Sequence, residues 1–276
     1  TKLPLLAPDL ILSVHIPKTG GITLFNLLEQ RFGKGLLTDY PDRQEMEGRT
    51  DLVEAIHGHF EIADYLKQSP DARIITFLRE PLDRALSHYY YWLTPPAHVP
   101  KNDPVYIKYF VEQKPDIEKF LMARELCNIC TSFLYPLDHP EQFWFMGFQE
   151  TFSEDIVRLQ EMLSMPVKKQ PILNPGRPRP KLDIPKNVID EFYKLNWRDK
   201  AFYDLMFSKF KGSDAEDHRN IPVMKYELKR LHLDYATLEL SYNKLHEKYH
   251  RIQSSSSWKL TKPLRSLVQY FRCWKK

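Results

Sequence analysis

The sequence predicts an α/β protein, a parallel sheet flanked by helices, followed by a coiled-coil helix and a basic amphipathic tail. Three observations predict this. Short apolar runs alternate with segments of helical periodicity from Leu10 to about Phe210. Loops marked by glycine and proline separate each run from the helix after it. From Met224 onward the apolar residues settle into a heptad.

The elements follow in order. LILSVHI (10–16) reads as a short buried strand and ITLFNLLEQRF (22–32) as an amphipathic helix. RIITFL (73–78) is a second buried strand and RALSHYYYWL (84–93) a second helix. The repeat of strand, loop and helix is what points to a parallel sheet. A helix is expected over IEKFLMARELCNICTSFL (117–134), a strand at FWFMGF (143–148) and a helix at SEDIVRLQEML (153–163). A Pro-rich loop (170–185) and a last helix from Lys186 to Phe210 close a globular domain spanning 1–211. GSDAEDHRN makes 212–220 a polar linker. Met224, Leu228, Leu231, Tyr235, Leu238, Tyr242, Leu245, Tyr249 and Ile252 then alternate steps of four and three, the a/d seam of a coiled coil over 221–253. A helix packed back on its own domain would want a wider apolar stripe, so a homo-oligomer formed through this seam is the expectation. Four serines interrupt it before the tail, 254–276.

Composition excludes several classes. The chain has 276 residues, 42% of them hydrophobic, enough for one sizeable core plus an appendage. A net charge of +4 suits an anionic ligand or surface and falls far short of a nucleic-acid-binding signature. Three cysteines are too few for a disulfide framework or a four-ligand zinc site, which favours a reducing compartment. Cys127 and Cys130 sit inside a helical pattern, which favours packed thiols over redox chemistry. No apolar run reaches the ~18 residues of a membrane span, and the first residues show no cleavable signal.

The chemistry concentrates in two stretches. HIPKTGGITLF (15–25) places Lys18, Thr19, Gly20, Gly21, Ile22 and Thr23 between a buried strand and a helix. Unpaired backbone N–H groups and the positive end of the helix dipole there form an anion cradle. It is not a Walker A loop, which needs an upstream glycine and a lysine after the second one, whereas Lys18 precedes both glycines. LREPLDRALSHYY (78–90) puts Arg79 at the end of a strand and Ser87 in the following helix, where both could meet a second anion at the same sheet edge. The ligand would then be doubly phosphorylated.

Together these stretches resemble the sulfotransferases that use 3′-phosphoadenosine 5′-phosphosulfate, in particular the branch of heparan sulfate 2-O- and 6-O-sulfotransferases and their bacterial relatives. PKTGG is similar to that family's 5′-phosphosulfate loop and LREPLDRALSHYY to its 3′-phosphate motif, with Arg79 and Ser87 on the 3′-phosphate. IHGHF, FMGFQETFSEDI, LNPGRPRP and LNWRDKAFYDLMFSKF extend the similarity across almost all of the first 210 residues. The resemblance implies a P-loop-like sandwich and sulfuryl transfer to a hydroxyl, with the phosphosulfate as co-substrate and no metal. It departs at Ile22, where relatives usually carry Thr or Ser.

Such a transfer needs a group to take the hydroxyl proton and a cation where charge develops on the leaving oxygen. Lys18 is the natural cation, a role the resemblance also implies. A histidine beside a glycine is more often a hydrogen-bonded turn residue than a base. The resemblance, however, places the catalytic histidine at the second His of IHGHF, which is His59, with His57 as the alternative or a substrate contact. His15 reads as a residue that orients the loop. Arg177 and Arg179, on the Pro-stiffened loop, fit a solvated surface, closure over the nucleotide or recognition of an acidic acceptor, and the residues do not choose. A phosphotransferase would need a Walker lysine and magnesium carboxylates, and neither is in place. A non-catalytic nucleotide-binding scaffold would not need both Lys18 and His59.

In the tail, Leu260, Leu264, Leu267, Val268, Phe271 and Trp274 share one helical face beside six Lys and Arg and no acid. This pattern predicts adsorption to an anionic membrane, on its cytoplasmic face, or else docking on the catalytic domain. SSSSWKLTKPLR after a coiled coil resembles the ends of bacterial enzymes that build surface glycans, which implies a glycan or glycolipid acceptor. Tyr89 to Trp92 could stack sugars, though core packing is the stronger expectation.

Overall fold

The computed structural model describes residues 5–40, 43–44, 51–93, 103–167 and 183–212. The Arg177 and Arg179 loop, most of the linker, the coiled coil and the tail lie outside them. In chain order the elements are β1 (Leu6–Val14), α1 (Gly21–Phe32), β2 (Leu36–Tyr40), β3 (Arg43–Gln44), β4 (Val53–Gly58), α2 (Ile62–Leu66), β5 (Arg73–Leu78) and α3 (Pro81–Leu93). They continue with α4 (Pro104–Tyr106), which runs on as a π turn, then α5 (Ile117–Leu121), α6 (Ile129–Leu134), β6 (Phe145–Phe148), α7 (Phe152–Met162), α8 (Lys186–Leu195) and α9 (Trp197–Lys211). The sheet order is β3-β2-β4-β1-β5-β6. All neighbours are parallel except the two-residue β3, which pairs antiparallel on the edge.

The period-two alternation of the strands sorts their side chains into two cores, giving three layers. Leu10, Leu12 and Val14 of β1, Ile74 and Leu78 of β5, and Met146 and Phe148 of β6 face Ile62 of α2, Leu134 of α6 and Phe202 and Met206 of α9. Ile11, Ile75, Phe77 and Phe145 point the other way, onto Leu24, Leu27 and Leu28 of α1 and Ile156 and Leu159 of α7. The leucines of α1 recur at helical spacing because that face must cover the sheet. Tyr89 and Trp92 are buried with Phe110 and Phe120 in a separate aromatic cluster, so core packing takes those two rings.

Two expected long helices are each broken, and the breaks interlock. The 117–134 segment is interrupted between Leu121 and Ile129 and resumes after Asn128, which adopts a left-handed φ of 53°. The 186–210 segment divides at Asn196. The Asn128 N–H donates to Asn196 Oδ1 (3.0 Å), and Asn128 Nδ2 donates to the Leu195 carbonyl (3.0 Å). Asp199 then accepts from the Cys130 N–H (3.0 Å), the Thr131 N–H (2.8 Å) and the Thr131 hydroxyl (2.8 Å), capping α6 from α9. Burial, then the Asp199 charge, raises the pKa of both the Cys127 and Cys130 thiols, as suits packed rather than reactive sulfur.

Candidate functional site

Three neighbouring strands end at one edge of the sheet, β1 and β4 level with each other and β5 two residues further on. Val14 of β1 is in register with Gly58 of β4 on one side and with Thr76 of β5 on the other. β1 is also where the strand order reverses, since α1 leads from it to β2 on one side while the chain later crosses to β5 on the other. From these ends come the GHF turn with His59, the PKTGG loop, and the LREP turn with Arg79, on strands that lie about 4.8 Å apart.

The loop after β1 has a backbone that could cradle an anion. Lys18 and Gly20 take left-handed φ of 75° and 99°. A Cβ at Gly20 would also lie 2.6 Å from the Phe152 ring. No side chain caps α1, so its first N–H groups are left to the loop. Thr19 is buried and its hydroxyl donates to the Ile16 carbonyl (2.8 Å); that donor holds the turn. Thr23 is buried in the first turn of α1, whereas Ile22 is 51% exposed. Lys18 Nζ stands 3.8 Å from the centre of the Tyr91 ring, a cation–π contact that sequence reasoning did not foresee.

That contact marks the face of α3 that meets the loop. Ser87 lies one turn before Tyr91, on the face turned toward the loop, and is buried nearly two turns into the helix rather than one. Arg84, one turn earlier again, is 1% exposed, and its Nε and Nη1 have no hydrogen-bond partner among the described residues. Beside it the His88 ring is held well below its ordinary pKa by burial, then by the Arg84 and Lys18 charges. Cationic groups therefore crowd one side of α3, as an anion site requires. Arg79 follows the last residue of β5, and the turn it belongs to is fixed by Glu80. The Glu80 N–H donates to Glu150 Oε1 (2.8 Å), and its carboxylate accepts from the Asp83 N–H (3.0 Å) and the Tyr193 hydroxyl (2.9 Å). Glu80 thus caps α3 and ties the LREP turn to α8 and to the segment after β6.

Three histidines gather on the α1 side of the same edge. His57 is fully buried on β4, bonded through Nδ1 to the Ser13 hydroxyl (2.8 Å), and burial, then His59, lowers its pKa to about 3. It lies beneath the site rather than facing an acceptor, which counts against it as base or substrate contact. His59 is half-buried and stands past the strand end. Its Nδ1 is 2.6 Å from the His15 carbonyl oxygen. A carbonyl only accepts, so Nδ1 carries the proton and the lone pair is on Nε2. The His15 ring stacks on His59 (4.3 Å between centroids, 25°) and on His57 (5.3 Å, 13°), and its Nδ1 bonds the Tyr40 hydroxyl (3.0 Å). Burial, then His59, His57 and Lys18, keeps the His15 pKa well below the ordinary value. No group of three His, Cys, Asp or Glu among the described residues could hold a metal ion.

No protein-family model and no curated protein matches this sequence. Solved structures similar to it include the crystal structure of mouse sulfotransferase SULT7A1 complexed with PAP, at 16% identity and a TM-score of 0.36, over 71% of this chain and 66% of that one. A sulfotransferase from Alicyclobacillus acidocaldarius matches at 15% identity and a TM-score of 0.37, over 72% of this chain and 96% of that one.

Proposed function

We propose that this protein is a sulfotransferase that moves a sulfuryl group from 3′-phosphoadenosine 5′-phosphosulfate to a hydroxyl of a carbohydrate or glycolipid. The observation that carries this reading is the order of three adjacent strand ends: a histidine base from β4, an anion loop with its lysine from β1, and Arg79 with the Ser87 face of α3 from β5. The loop for the 5′ end is then central, with the base on one side of it and the 3′-phosphate subsite on the other.

When bound, the phosphosulfate supplies the sulfuryl group and departs as the adenosine 3′,5′-bisphosphate. The uncapped N–H groups of α1 and the loop hold its 5′ end, and the left-handed turn at Gly20 lets the backbone approach it. Arg79 and Ser87 hold the 3′-phosphate, and the unsatisfied N–H groups of Arg84 beneath them add a positive field. His59 takes the acceptor's hydroxyl proton at Nε2, the nitrogen left basic by the Nδ1 bond to His15. Lys18 places its ammonium at the bridging oxygen as charge develops there.

The heptad segment 221–253 makes the protein a homo-oligomer, and the basic tail 254–276 holds it on the cytoplasmic face of an anionic membrane, near a glycan or glycolipid acceptor. Isothermal titration tests the nucleotide reading. The bisphosphate should bind and ATP should not compete with it; tight ATP binding with no affinity for the bisphosphate would end the proposal. His59→Ala should lower transfer about a hundredfold or more while leaving bisphosphate affinity near the original.

A further inference from the structure

The two glycines of the loop are not there for the same reason. Gly20 needs its left-handed backbone, but Gly21 begins α1 and is absent from the positive-φ residues, so its dihedrals are open to any amino acid. What forbids a side chain at Gly21 is the His15 imidazole, since a Cβ there would fall among Nε2, Cδ2 and Cε1 of that ring. The same ring lies on His59 at 4.3 Å, and His15's main chain holds both strands at this point: its N–H donates to the Gly58 carbonyl (2.8 Å) and its carbonyl accepts from His59 Nδ1 (2.6 Å). Tyr40, from β2, fixes the remaining edge through His15 Nδ1 and also packs edge-on against His59, with ring centroids 4.9 Å apart.

We propose that Gly21 is glycine in order to admit the His15 ring, and that His15 is a positioning residue coupling the anion loop to the base His59. This deepens the sulfotransferase reading and rests on it for the name of the base. A side chain at Gly21 pushes the imidazole off the helix start, and the displaced ring carries the His59 ring with it. The loop and the base therefore keep their relative placement only while His15 fills the space between α1 and His59.

The test is a double-mutant cycle of Gly21→Ala and His15→Ala in the full chain. Three readouts need no acceptor: thermal unfolding, titration with the adenosine 3′,5′-bisphosphate, and the ¹⁵N signature of His59 in histidine-labelled protein. The last distinguishes an Nδ1–H ring from one averaging between tautomers. Gly21→Ala alone should weaken the bisphosphate at least about tenfold and average the His59 tautomer. His15→Ala alone keeps the carbonyl but removes the ring that stacks on His59 and holds it against that carbonyl, so it should average the tautomer while leaving bisphosphate affinity within about threefold, a split that simple collapse of the loop would not give. Adding Gly21→Ala to His15→Ala should then change affinity by less than about threefold. If Gly21→Ala does not fold, recovery of folding in the double variant supports the proposal and failure of both overturns it. An equal cost of Gly21→Ala in both backgrounds, or a pure Nδ1–H signature in His15→Ala, also overturns it. If the unaltered protein does not bind the bisphosphate, the sulfotransferase reading fails by itself, while unfolding and the His59 signature still decide the Gly21–His15–His59 coupling.

Discussion

Acid should destabilise this protein through its buried histidines, and His57 sets a definite size for the effect. The ring is 0% exposed, its Nε2 has no hydrogen-bond partner among the described residues, and its pKa falls from the ordinary 6.5 to about 3. Because the folded value lies below the unfolded one, the unfolded chain binds the extra proton between them. The neutral ring's contribution is therefore fully present above about pH 6.5 and lost as the pH falls toward 3. At about pH 5 the loss is RT ln(1 + 10^1.5), about 2 kcal/mol, a large part of a typical stability of about 5–15 kcal/mol. His15 and His88, whose pKa values burial also lowers, act in the same direction. Urea melts of the unaltered protein and of His57→Asn at about pH 7, 6 and 5 isolate the His57 share. The unaltered protein should lose about 2 kcal/mol more than the variant between about pH 7 and 5. Parallel pH dependences would show that His57 titrates normally in the folded chain and that its burial has been misjudged.

Lys18→Ala should reduce turnover far more than stability, since its contact over Tyr91 is worth about 0.5–2 kcal/mol, whereas its proposed role is on charge in the transition state. Steady-state kinetics beside a thermal melt will check this, and a fully active variant would show that the cradle is misassigned. Arg79→Ala should weaken the bisphosphate by about 2 kcal/mol or more in titration, as loss of a charge-assisted contact implies, and unchanged affinity would remove the second anion subsite. Deleting 254–276 should release the protein from anionic liposomes without harming transfer to a soluble acceptor, and deleting from 221 onward should leave a monomer in analytical ultracentrifugation. Equal sedimentation with and without the tail would rule out the membrane reading.

Local patterns in the chain were enough to reveal the layered α/β architecture and to single out the two stretches proposed to bind anions. A strand followed by a turn and an amphipathic helix is written in consecutive residues, so LILSVHIPKTGG and RIITFLREPLDRALS announce their elements. β2 and β4 were not legible. VEAIHG carries a glutamate within its apolar residues and ends in a His-Gly pair, and it becomes an interior strand only because β1 and β2 pair with it on either side. The helix breaks at Asn128 and Asn196 were equally hidden, because each is stabilised by the other across 68 residues. The site divides in the same way. Lys18 follows β1, Arg79 follows β5 and Ser87 lies in α3, on the elements that the sequence predicts, but the tautomer of His59 depends on a carbonyl 44 residues away, and the ring that a Cβ at Gly21 would meet is six residues before it, folded back over the start of the helix. Periodicity and turn chemistry act between near neighbours in the chain. The stacking of His15, His57, His59 and Tyr40 follows from the register of three parallel strands, which exists only once the sheet has formed.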